Sequence, residues 1–179
     1  MGISSGLGRD ALLPGLVLVS SSSFSSQTGV NIDSCFSSQY ANYRVVIDLS
    51  AISANDTVLF VFRDSSGNVT SSNYDYTLLE WYSGSVAATS SLAVGNSRIQ
   101  FTYTTPGYMA ATIDIYNPQV ALRTQWTSNA TSMNGTTWTL ADRVDGNFRL
   151  TTQFTGFRLT TAGGTATMTG TIRVYGYRN

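Results

Sequence analysis

The chain has 179 residues, ten arginines balanced by ten acidic residues, and neither lysine nor histidine. Without histidine a serine-hydrolase triad has no general base, without lysine P-loop and Schiff-base chemistry fall away, and one cysteine without histidine makes neither a zinc site nor an intrachain disulfide. A net charge near zero, with Arg44, Arg63, Arg98, Arg123 and Arg173 scattered along the chain, leaves no basic run for nucleic acid.

Residues 1–15 read as an N-terminal docking arm ahead of one domain over 16–179. The apolar run from Ala11 to Val19 is split by Pro14 and Gly15, follows Arg9-Asp10 and precedes no small-residue cleavage site, which argues against a signal peptide. It is also too short to span a membrane. Leu7, Leu12, Leu13 and Pro14 are the arm's candidate docking residues.

The serine tract "SSSSFSS" comes next, in a chain with 24 serines and 24 threonines. Serine competes with helix through local backbone hydrogen bonds. Phe24 gives the tract an apolar anchor that a free linker would lack, so it reads as an edge strand or short extended connection. Cys35 reads as a buried small hydrophobe.

From there strand patterns dominate. In "YRVVIDLS" the residues Tyr43, Val45, Ile47 and Leu49 share one face, as in a half-buried strand. In "TVLFVFRD" both faces are largely apolar, which predicts a central, covered strand. Further runs begin at Tyr74, Ser97, Met109, Ala121, Thr136, Asn147 and Thr165. Turn clusters separate them: "DSSGN" at 64–68, "VGNS" at 94–97, "TPG" at 105–107, "SMNG" at 132–135, "VDGN" at 144–147 and "TAGG" at 161–164. The expectation is an all-β fold, a single antiparallel β-sandwich of roughly ten strands.

Few chemistries remain open to these side chains. Asp142 with Asp145, or Glu80 with a distant aspartate, could supply the two carboxylates of a glycosidase. The competing reading of "ADRVDGN" is a turn capped by its aspartates, and of Glu80 a solvent-facing strand position, paired with an arginine across the strand. "RDSSGN" has calcium-loop oxygens but lacks the further acids, and reads as a plain hairpin. No cofactor is implied. Tyr74, Tyr76, Trp81, Tyr82, Trp126 and Trp138 carry flat rings with polar handles, suited either to a glycan or partner contact or to the sandwich core.

The stretches "FSSQYANYRVVIDLS", "TVLFVFRDSSGN" and the closing "TGFRLTTAGGTATMTGTIRVYGYRN" together resemble small β-sandwich proteins of tailed bacteriophages. The likeness rests on the "FSSQYANYR" box and the terminal "GTIRVYGY", and runs from about Val17 to Asn179. It implies a jelly-roll-like domain in the virion that forms a homo-oligomer, most often a trimer, in tail fibres, receptor-binding tips or capsid decorations. No catalytic residue belongs to the pattern. The expected role is a structural, non-enzymatic virion protein, a tail fibre or receptor-binding protein docked by its arm to the baseplate or tail. Its other expected contact is host surface glycan, without nucleic acid or membrane insertion. The alternatives are a capsid decoration protein on the head and a glycan-cleaving depolymerase domain.

Overall fold

A computed structural model describes residues 15–82, 84–102, 107–134 and 138–178, with side chains at all of these except 100–102, 134 and 138. In chain order the strands are β1 (Gly15–Gln27), β2 (Gly29–Ile32), β3 (Asn42–Ile52), β4 (Asp56–Asp64), β5 (Gly67–Asn68), β6 (Tyr74–Tyr82) and β7 (Ser85–Val94). They continue as β8 (Ser97–Thr102), β9 (Met109–Tyr116), β10 (Gln125–Asn134), β11 (Trp138–Phe148), β12 (Gly156–Thr161) and β13 (Met168–Arg178). Thirteen strands among the described residues replace the ten expected, the surplus coming from short pieces such as β5 and from β7.

The strands form two antiparallel sheets packed as a β-sandwich. One has eight strands in the order β1-β13-β3-β9-β10-β11-β6-β7; the other runs β2-β12-β4, with β5 and β8 both pairing β4. Three neighbours in the large sheet continue into three neighbours in the small one: β1 into β2, β3 into β4, and β13 back into β12. The first crossing has only Thr28 between its strands. It is made by a register slip between Phe24 and Gln27 and by Ser26, whose φ is 51°. A bulge of this kind turns a strand sharply without ending it. The serine tract is thus an ordered edge strand.

The core follows from alternation. Tyr43, Val45, Ile47 and Leu49 of β3, Met109, Ala111, Ile113 and Ile115 of β9, and Ile172 and Val174 of β13 all point inward and are buried. They meet Phe60 and Phe62 of β4 and Phe157 and Leu159 of β12. Burying each such side chain contributes about 1.5–3 kcal/mol. Beneath the β10–β11–β6 part of the large sheet the core is aromatic: Phe62 stacks on Phe154 at 4.4 Å, and Trp126 meets Phe60 edge-on at 5.4 Å. The polar tips of Tyr74 and Trp126 are satisfied within this core. The Tyr74 hydroxyl accepts from the Phe62 N–H and donates to the Val69 carbonyl, both at 2.8 Å, and Trp126 Nε1 donates to Ser97 Oγ at 3.1 Å.

The "FSSQYANYR" box has a physical reading here. Tyr43 is fully buried, and its hydroxyl donates to the Ser37 carbonyl at 2.7 Å and accepts from the Ser37 N–H at 2.8 Å. One tyrosine therefore pins the loop that enters β3. Buried Cys35 lies in the same region, its thiol pushed up to about 12 by desolvation.

Three local expectations are corrected. "VDGN" is no turn: Gly146 continues β11 opposite Trp126, where a Cβ would overlap the indole and lie 2.7 Å from the Asp75 carbonyl oxygen. The glycine is there for close packing. The run from Ala121 becomes a strand only at Gln125 and then continues through the expected "SMNG" turn as far as Asn134. The run from Asn147 leaves the sheet after Phe148, with Leu150 exposed and Phe154 returning to the core.

Candidate functional site

The outer face of the large sheet carries a concavity. Strand pairing sets Trp81, Ala141, Thr131, Ala110 and Asp48 in one row across β6, β11, β10, β9 and β3. The next row is Leu79, Arg143, Asn129, Thr112 and Val46. Alanines at 110 and 141 leave a gap between taller neighbours, and this gap is a hollow of about 300 Å³ walled by Trp81, which is 39% exposed. A second hollow of about 430 Å³ shares Asp48, Ala110 and Thr131 with the first and continues it to Tyr108 and Met133. Tyr108 is 51% exposed. The two hollows form one elongated groove with an aromatic ring on each lobe.

The groove is close to neutral. Asp48 pairs with Arg173 at 3.1 Å, and at the margin Arg143 pairs with Asp145 at 3.0 Å. Arg143 holds the Asp145 carboxyl below its ordinary value against the opposing effect of desolvation. Asn129, Thr112 and Thr131 form no side-chain hydrogen bond among the described residues, so their amide and hydroxyl groups face the groove unpaired. Toward the β13 side of the same face, Arg44 grips Asp114 through two bonds of 2.8 and 2.7 Å, and the Tyr177 hydroxyl donates to Asp114 at 2.7 Å. Desolvation opposes ionisation of Asp114, but Arg44 and Tyr177 outweigh it and lower its pKa.

A second cluster lies inside the sandwich. Glu80 and Asp142 are direct cross-strand partners, and Arg98 reaches both from β8 of the other sheet, with Nη2 2.9 Å from Asp142 Oδ2 and in close contact with Glu80 Oε2. The Asp142 side chain is wholly buried; neither oxygen accepts a well-directed hydrogen bond, and desolvation raises its pKa to about 6 despite Arg98. Asp142 and Asp145, weighed as a carboxylate pair or as the caps of a turn, are neither: both lie within β11, and three residues apart on a strand they face opposite sides of the sheet. Glu80 is not solvent-facing, and its arginine comes from the opposing sheet. One guanidinium nitrogen of Arg98 lies against both carboxylates and bridges them.

The aromatic candidates separate by strand parity. Tyr74 and Trp126 are buried in the core and offer nothing to a ligand, which corrects their assignment as contact residues. Tyr76 is half-buried against the same core. Trp81 points out of the sheet into the groove, whereas Tyr82 lies exposed at the end of β6 on the inward-facing row. The backbone of Trp138 begins β11, but its side chain lies outside the described residues, as do Leu7, Leu12, Leu13 and Pro14. Sequence reasoning missed Tyr108, whose signal was an aromatic beside the "TPG" cluster.

The "RDSSGN" segment is the hairpin of β4 and β5, and Asp64 Oδ1 accepts from the Ser66 N–H at 2.8 Å to close it. Among the described residues no three acidic, cysteine or histidine side chains gather as a metal site would require. Among the described residues no helix is long and apolar enough to cross a membrane. No family model, curated protein or solved structure matches this chain.

Proposed function

We propose that the chain is a structural virion protein of a tailed bacteriophage, a tail fibre or receptor-binding protein that docks by residues 1–15 and turns its sandwich toward the host. The observation that supports an assembled role is the state of the sheet edges. β1 and β7 end the large sheet, neither contains a charged residue or a proline, and β7 is exposed along most of its length. Proteins that remain single guard such edges with charge, proline or a covering loop. Unguarded edges suit a chain that completes its pairing against other copies, as in the homo-oligomer implied by the phage resemblance. Pairing β1 of one copy with β7 of the next is a head-to-tail contact that closes as a ring, such as a trimer, when the rotation permits.

The test is location. A tagged copy imaged on purified particles is expected at the tail tip or baseplate, and removal of residues 1–15 should abolish incorporation while leaving a folded oligomer. Copies spread over the head would favour a decoration protein, and absence from particles would overturn the virion role.

A further inference from the structure

We propose that the two-lobed groove between Trp81 and Tyr108 binds a run of neutral hexose units of a surface polysaccharide. This rests on the host-contact reading above and gives it a site and a ligand class. Pyranose rings present apolar C–H faces and equatorial hydroxyls, so a site for them needs aromatic faces flanked by groups that both donate and accept hydrogen bonds. The groove has both. Trp81 and Tyr108 stand half-exposed on its two lobes, and Asn129, Thr112 and Thr131 turn unpaired amide and hydroxyl groups into it. Ala110 and Ala141 keep the floor low enough for a ring to lie flat against the sheet.

Charge decides against an acidic glycan. Asp48 and Arg173 neutralise each other at one end, Arg143 is held by Asp145 at the margin, and no unpaired cation faces the groove among the described residues. Backbone chemistry decides against a peptide. The groove crosses strands whose N–H and C=O groups are already used in the ladders, so an extended peptide finds no edge to join. The row from Trp81 to Asp48 crosses four strand spacings, which at ~4.8 Å each is about 19 Å, room for several rings.

The probe is a printed array of bacterial surface polysaccharides, neutral and acidic, incubated with the full chain and with Trp81→Ala and Ala110→Arg. Both substitutions fall on exposed positions, and matched thermal melts establish that the variants fold. Binding to neutral polysaccharides is expected, with a loss of roughly tenfold or more in each variant, the size of effect that removing an aromatic anchor produces. Absence of binding to every neutral polysaccharide, confinement to acidic ones, or undiminished binding by both variants overturns the proposal. The two readings fail separately: a chain incorporated at the tail that binds no neutral glycan loses only the groove, and a chain that binds through Trp81 but is absent from particles loses only the virion role.

Discussion

Glu80 and Asp142 face one another across the β6–β11 ladder, and Arg98 from the opposite sheet bridges them. Two acids share one cation, and burial makes Asp142 resist ionisation. Its folded pKa of about 6 lies above the ordinary 3.8, the reverse of a paired surface carboxylate. Between those values the unfolded chain has released a proton that the folded chain retains, so raising the pH favours unfolding. Ionised Asp142 therefore destabilises the fold at neutral pH relative to pH 4. Asp75 and Asp114, held low by Arg149 and Arg44, act below that window: their support is present above the ordinary carboxylate pKa and is lost as the pH falls through their folded values. Thermal melts of wild type should decline from pH 4 to pH 6.5, and Asp142→Asn should flatten that decline. A variant with the same slope as wild type would assign the effect elsewhere.

Tyr43→Phe keeps the ring in the core but strands both the N–H and the carbonyl of Ser37. A loss of roughly 1–3 kcal/mol in urea unfolding is expected. Accelerated amide exchange should be confined to the loop before β3; unchanged protection there would mean that the hydroxyl does not hold it.

Gly146→Ala places a methyl group against the Trp126 indole and the Asp75 carbonyl. Overpacking of this kind costs about 1–3 kcal/mol. Trp126→Phe in the same chain should recover part of the loss by making room, and a double variant no better than the sum of the two singles would separate the residues.

The chain's legibility depended on whether a segment buries a face. β3 and β4 were readable because large apolar residues recur at every second position. β7, "SVAATSSLAV", buries almost nothing, so no alternation marks it, and only its pairing with β6 makes it a strand. Trp81 and Trp126 have the same chemistry and opposite fates. Parity within "YDYTLLEWY" carried the distinction for Trp81: it shares a row with Asp75, Thr77 and Leu79, while Tyr74, Tyr76 and Leu78 take the inward row. The Glu80–Asp142 pairing was beyond reach, since it depends on the register of strands distant in sequence and on an arginine from a third strand. The groove was hidden for the same reason, because its two alanines matter only through what stands beside them.

Charge on the bare edge tests assembly. Val86→Lys with Leu92→Lys alters two exposed side chains of β7. The melting temperature should hold while light scattering reports a shift from oligomer to single chains, since like charges oppose strand pairing. An unchanged oligomer would place the contact elsewhere.

The register of β1 on β13 also sets how the molecule bears load. The two strands are bonded from Gly15 beside Arg178 to Gln27 beside Met168, and ladder hydrogen bonds lie perpendicular to the strands. A pull on the chain at Gly15, directed along β1 and opposed from across the sheet, strains the whole ladder at once. Drawing Gly15 and Arg178 apart instead opens the same ladder one bond at a time. The sandwich is mechanically anisotropic: it yields readily when its two adjacent ends are separated, and it holds when tugged by its beginning.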